Sequence, residues 1–142
     1  MPKQIENSIG ANQVQVDTYL ELLATAHFAK ETAYSNYSGF KVGSALLTKG
    51  GKVISGCNVE NASYGLTMCA ERTAIFKAVS EGHKPGDFEA IAIAASADDF
   101  SPCGACRQVI NEFGDEITVI FEFGGKIVMT KLKDILPYNF KL

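Results

Sequence analysis

Two periods of apolar and polar residues alternate along this chain, and the switches between them predict its elements. From about Val14 to Tyr34 the apolar positions Val16, Leu20 and Leu23 recur at i, i+4 and i+7, with His27 continuing the stripe, which predicts a helix. Tyr34 to Gly39 reads as a turn-rich break. Val42 to Leu47 and Val53 to Cys57 read as strands joined by a hairpin at Lys49-Gly50-Gly51-Lys52, since glycine reaches positive φ without steric cost. A polar loop, Asn58 to Thr67, leads into a helix from about Cys69 to Ser80, where Ala70, Ala74 and Ala78 keep helical spacing and Gly82 supplies a stop. Ile91 to Ala95 is a nearly unbroken apolar run, the mark of a strand covered on both faces. Beyond Pro102, Cys106, Val109, Ile110 and Phe113 mark another amphipathic helix, ended by Gly114. Ile117 to Phe123 and Lys126 to Met129 read as strands, and the two-residue link Gly124-Gly125 can join them only in antiparallel sense. Lys131 to Leu136 suits a short helical stretch before Pro137. Residues 1–12 are polar and are expected to form a loose arm. The order predicts a mixed five-stranded sheet with helices on its faces, an α/β fold.

Composition narrows the class. A chain of 142 residues suits a single domain over 1–142, and 46% hydrophobic with 20% charged residues is ordinary for a globular protein. The longest apolar run, Ala90 to Ala95, falls far below the roughly 18 residues needed to cross a bilayer. Met1-Pro2-Lys3-Gln4 leads into polar sequence and not into an apolar signal core. No membrane partner is therefore expected, and the expected location is cytoplasmic, where thiols stay reduced. Lys and Arg number 13 against 16 Asp and Glu, a net charge of −3, which argues against nucleic acid as a partner because such binding rests on cations neutralising phosphates. Four cysteines in a reducing compartment point to metal or chemistry more than to disulfides.

Cys103 and Cys106 form a Cys-x-x-Cys pair at a predicted helix start, so both sulfurs reach one side, where free backbone N–H groups favour thiolates. Alone, the pair is weak evidence: it reads first as a zinc half-site, then as buried structural thiols, then as a redox dithiol. Cys69 also opens a predicted helix and adds a third sulfur. Three protein ligands with an open fourth position mark catalytic zinc, whereas structural zinc closes all four. His83 sits in a Gly82-His83-Lys84-Pro85-Gly86 turn and reads as solvated, His27 as a packed or boundary histidine, and Cys57 as a small buried hydrophobe. Glu71, two residues after Cys69, is by itself a helix-start glutamate. Together, Cys69-Ala70-Glu71 and Pro102-Cys103-Gly104-Ala105-Cys106 match the pattern of zinc nucleobase deaminases, in which the glutamate is the general acid and base. Three thiolates on Zn²⁺ leave a net −1, which Arg72 beside Glu71 is placed to offset together with the helix N-termini.

On these stretches the chain resembles the small homotetrameric cytidine deaminases. The likeness extends through Tyr37-Ser38-Gly39-Phe40-Lys41-Val42-Gly43, Gly56 to Tyr64, Cys69 to Ala74, Ser101 to Val109 and Leu136-Pro137. It implies a three-layer α/β/α sandwich and one zinc per chain held by Cys69, Cys103 and Cys106. It further implies hydrolytic deamination of cytidine and 2′-deoxycytidine in pyrimidine salvage, by zinc-activated hydroxide attack on C4 with Glu71 as the proton shuttle. Phe40, Asn58, Glu60 and Ala70 are implied to bind the pyrimidine nucleoside, Asn58 and Glu60 at the ribose. Tyr64 and Phe140 are implied at sites shared between subunits of a homotetramer, and Arg72 at the zinc thiolates. The nearest alternative by motif is deamination of a cytosine-containing antibiotic such as blasticidin S, against which Asn58-Val59-Glu60 favours a ribose-bearing substrate. A base deaminase acting on RNA or DNA would want basic patches, and a structural zinc module a fourth protein ligand.

Overall fold

The computed structural model describes residues 2–142, so Met1 lies outside the described residues. Its elements are β1 (Gln4–Asn7), α1 (Gln13–Ala29), β2 (Val42–Thr48), β3 (Val53–Cys57), α2 (Ala70–Ser80), β4 (Phe88–Ala95), α3 (Gly104–Phe113), β5 (Thr118–Phe123), β6 (Lys126–Lys131) and α4 (Leu132–Ile135). The sheet has six strands in the order β1-β6-β5-β4-β2-β3, not the five expected. The additional strand comes from the segment read as a loose arm: Gln4–Asn7 pairs in parallel with β6. All four of its residues are exposed, so it carries no alternation of apolar positions. Backbone pairing at the sheet edge holds it, helped by an ion pair between Lys3 Nζ and Glu122 Oε2 at 2.5 Å.

The helix expected to reach Tyr34 ends at Ala29, followed by a 3₁₀ turn over Lys30–Thr32. Its start is set by Asn12, whose side chain accepts from Gln15 N–H while Gln15 accepts from Asn12 N–H. Its end is set by competition. The Tyr34 backbone donates to Asn58 O at 3.0 Å and accepts from Glu60 N at 2.8 Å, an extended pairing incompatible with helix.

Strands β3 and β5 both run parallel to β4, since β2 is antiparallel to both of its neighbours and β5 pairs with β4 in parallel. The connections β3-α2-β4 and β4-α3-β5 are therefore crossovers, and both helices begin at the carboxyl ends of strands. The alternating side chains of β4 show the layering. Ile91, Ile93 and Ala95 join the core beneath α2 and α3, while Ala90, Ala92 and Ala94 join the core beneath α1. Small residues on that second face let α1 approach closely. At Gly43 on β2, a Cβ would stand 2.1 Å from Ala26 O and 2.3 Å from Lys30 N, both backbone atoms of the α1 end. Gly43→Ala is expected to lower stability by at least about 1–3 kcal/mol, the usual cost of overpacking, read as a shift of the urea midpoint. An unchanged midpoint would show that α1 yields freely.

Candidate active site

Cys69 and Cys103 are the N-cap residues of α2 and α3, and Cys106 lies in the first turn of α3. Because both helices start at the same end of the sheet, their caps meet. The three Sγ atoms lie within 4.8 Å of one another, and they are the one such cluster of metal-capable side chains among the described residues. Neither histidine belongs to it. His27 Nε2 pairs with Glu122 Oε1 at 2.5 Å, and His83, expected in solvent, is partly covered by the Phe88 ring at a centroid distance of 6.1 Å. Cys57, expected buried, is half-exposed because β3 is an edge strand, and its Sγ reaches Thr32 O at 3.6 Å.

Arg72 lies on the first turn of α2, and its Nη2 donates to Cys69 Sγ at 3.2 Å. The Cys69 thiol is drawn down to about 5, first by the hydrogen bond from Cys106 and then by Arg72, against the cost of burial. That same bond, with burial, pushes the Cys106 thiol up. Three sulfurs with one guanidinium beside them fit a zinc ion bound by thiolates.

Glu71 is 1% exposed, and its Oε1 is buried without a hydrogen-bond partner. Burial pushes its carboxyl up to about 7 from the ordinary 4.5, its own backbone N–H works the other way, and the Cys69 charge adds to the rise. A carboxyl with a raised pKa favours folding when protonated, so its contribution is full below 4.5 and is lost as pH rises through about 7. In metal-free protein, the stability difference between wild type and Glu71→Gln should change by up to about 3 kcal/mol across that window, against the wild type at high pH. Urea titrations at a series of pH values measure this, and a flat difference would contradict it.

Two of the three cysteines and Glu71 face a cavity of about 220 Å³ lined by Phe40, Asn58, Cys69, Ala70, Glu71 and Cys103 among others. Asn58 is 7% exposed, with Oδ1 accepting from Val42 N at 2.8 Å and Nδ2 donating to Phe40 O at 2.8 Å. Half of its hydrogen-bonding capacity thus fixes the pocket wall, and half remains for a ligand. Glu60 and Tyr64 lie in an adjoining cleft with Tyr37, Ser38 and Thr67, and Thr67 lines both spaces. The Glu60 carboxylate accepts from the backbone N–H groups of Tyr37 and Ser38 and from the Ser38 hydroxyl. Phe140 is 67% exposed and lines neither space; its backbone oxygen accepts from Asn111 Nδ2 at 3.2 Å.

Residues 16–122 match the family model described as the cytidine and deoxycytidylate deaminase zinc-binding region. The chain belongs to that family. A cytidine deaminase of Halalkalibacterium halodurans is 48% identical over 124 residues, covering 84% of this chain and 91% of that protein. One from Sporosarcina psychrophila is 46% identical over 123 residues, covering 84% and 89%. The crystal structure of a cytidine deaminase from Burkholderia pseudomallei superposes with a TM-score of 0.82 at 49% identity, covering 86% of this chain and 98% of that one. A blasticidin-S deaminase of Bacillus cereus is a more distant relative, 35% identical over 108 residues.

The family's zinc-binding region thus includes all three cysteines and Glu71. Sequence reasoning missed other wall residues of the cavity, namely Val42, Thr67, Met68, Phe100 and Ser101. Their neighbourhood within the fold places them there, and no periodicity or motif spacing singles out Phe100. Among the described residues, no helix is long and apolar enough to cross a membrane.

Proposed function

We propose that this chain hydrolyses cytidine and 2′-deoxycytidine to uridine and 2′-deoxyuridine with release of ammonia. The observation that carries the reading is a buried Glu71 carboxyl, its Oε1 without a partner, beside a three-cysteine cluster on the wall of a mostly apolar cavity of about 220 Å³. Cys69, Cys103 and Cys106 would hold a zinc ion, which would supply activation of water for attack at C4. Glu71 takes one proton of the attacking water and delivers it to N3, then takes the remaining proton from the oxygen now bonded to C4 and passes it to the departing amino group as the C4 carbonyl forms, a task suited to a carboxyl near neutrality. Arg72 offsets the charge of the thiolates. Phe40 and Ala70 bound the base, and the free half of the Asn58 amide with the remaining acceptor capacity of Glu60 takes the ribose hydroxyls. The cytidine relatives are closer than the blasticidin-S one, which favours the nucleoside. Following cytidine by ultraviolet absorbance, with zinc content measured on the same sample, tests the assignment. A zinc-loaded protein without turnover of either nucleoside would reject it.

The same reading places the chain in pyrimidine salvage in the cytoplasm, as one catalytic domain and as a homotetramer with shared active sites. Support comes from exposed aromatic residues. Phe28, Tyr64 and Phe140 are 80%, 76% and 67% exposed, surface normally covered in an assembly. Phe140 then closes the open side of a neighbouring subunit's pocket, and Tyr64 lines the contact. Sedimentation should report a tetramer, and Phe140→Ala should raise KM several-fold with zinc retained. A fully active monomer would refute this.

A further inference from the structure

Phe100 is the unassigned aromatic residue of the cavity. Its ring stands 6.0 Å from that of Phe40, centroid to centroid, tilted by 37°. The two rings come from different loops, and both loops are fastened. Phe40 N–H donates to Ser38 Oγ at 2.9 Å, and Phe40 O accepts from Asn58 Nδ2. Phe100 N–H donates to Glu122 O at 3.0 Å, and the neighbouring Asp99 Oδ1 accepts from Gly124 N at 2.7 Å. Lys41 and Ser96 join the loops directly: Ser96 N donates to Lys41 O, and Lys41 N donates to Ser96 Oγ, both at 2.9 Å. The backbone beneath both rings is therefore fixed, and the two side chains enter the cavity from anchored positions.

The shape of a pyrimidine decides what meets these rings. One edge of the ring (O2, N3 and the C4 amino group) is polar, and the other (C5–H and C6–H) is apolar. With C4 at the thiolate end and N3 toward Glu71, the carbon on the other side of C4 is C5. Phe100 stands three residues before Cys103 on the same loop, so its Cα lies within about 11 Å of that ligand's. Phe40 is tied instead to Asn58, further from the metal-ligand loop along the chain. Phe100 shares its loop and the cavity wall with Ser101 and Cys103, so of the two rings it is the one joined to the metal-ligand loop, where the C5 edge would lie.

We propose that Phe100 is a specificity-determining residue whose ring closes the space beside C5 and limits the substituents accepted there. The proposal rests on cytidine being the substrate. It goes further by naming what sets the size limit on the base.

The test compares wild type, Phe100→Leu and Phe100→Ala on cytidine and 5-methylcytidine, with zinc content measured for each. Affinities for the products uridine and 5-methyluridine are measured by calorimetry on the same preparations. One methyl group against a packed apolar wall is worth about 10–200-fold, so wild type should disfavour the 5-methyl compounds to that extent. Phe100→Ala should shrink the penalty by at least about tenfold in both kcat/KM and product affinity. Phe100→Leu, which keeps apolar packing and carries the test if the alanine variant fails to fold, should fall between. A penalty unchanged within about twofold in the folded, zinc-loaded variants, or none in wild type, would overturn the proposal. Absence of cytidine turnover in zinc-loaded wild type would instead reject the deaminase reading, and the product affinities would still decide what Phe100 does.

Discussion

Glu71→Gln is expected to leave the protein folded and zinc-loaded while lowering cytidine turnover by at least about 100-fold. Glutamine has the size of glutamate, so the 1% exposed site does not have to repack. Its amide cannot accept a proton, and the proposed reaction asks this one residue to move protons to two different nitrogens. A general acid or base contributes about 10²–10⁴-fold for a single transfer, so the loss should lie within or above that range. The buried Oε1 that now lacks a partner is the atom placed to receive the proton. Steady-state kinetics with zinc analysis separates the outcomes. A fall of less than about tenfold with metal retained would reject Glu71 as the shuttle, and another group near C4 would have to be sought.

Cys103→Ala should cost more than 100-fold in zinc affinity and, at limiting zinc, abolish turnover. Partners that only orient a metal ligand are worth about 10–100-fold, and Cys103 is proposed as a direct ligand. It is also the exposed member of the cluster, whereas Cys106 is fully buried, so its truncation leaves the core intact. Losing its Sγ also removes the acceptor of the Cys106 N–H bond at 3.4 Å, a small additional loss at the start of α3. Arg72→Ala, which removes the 3.2 Å bond to Cys69 Sγ, belongs in the lesser class of about 10–100-fold. Metal analysis after dialysis against a graded chelator ranks the variants. Equal retention by wild type and Cys103→Ala would exclude Cys103 as a ligand.

Much of the site was legible because its chemistry is carried by short local patterns. Cys69-Ala70-Glu71 and Pro102-Cys103-x-x-Cys106 each place their groups at a helix start, and a helix start is readable from capping and spacing. Glu60 was only partly legible. Two-residue alternation with Asn58 suggests a common direction, but the bridges Tyr34–Val59 and Val59–Met68 hold the segment between two other stretches, and the two side chains enter adjoining clefts.

Apolar patterning determined α2, α3 and the central strands, and the two-residue Gly124-Gly125 link made the β5–β6 hairpin antiparallel. For the helices the driving force is burial of a periodic apolar face, for β4 burial of both faces, and both patterns are written in the residues. Tertiary structure alone decided the rest, and in each case the partner lies far along the chain. Strand β1 has no apolar face and exists only because the β6 edge offers it backbone partners. Helix α1 stops before Tyr34 because Asn58 and Glu60 claim that residue's backbone groups. Phe100 reaches the cavity only because Glu122 and Gly124, on the β5–β6 hairpin, anchor its loop opposite Phe40. Local periodicity records what an element buries, whereas hydrogen bonds to distant backbone are made by nearly every residue type alike and leave little trace in the order of side chains.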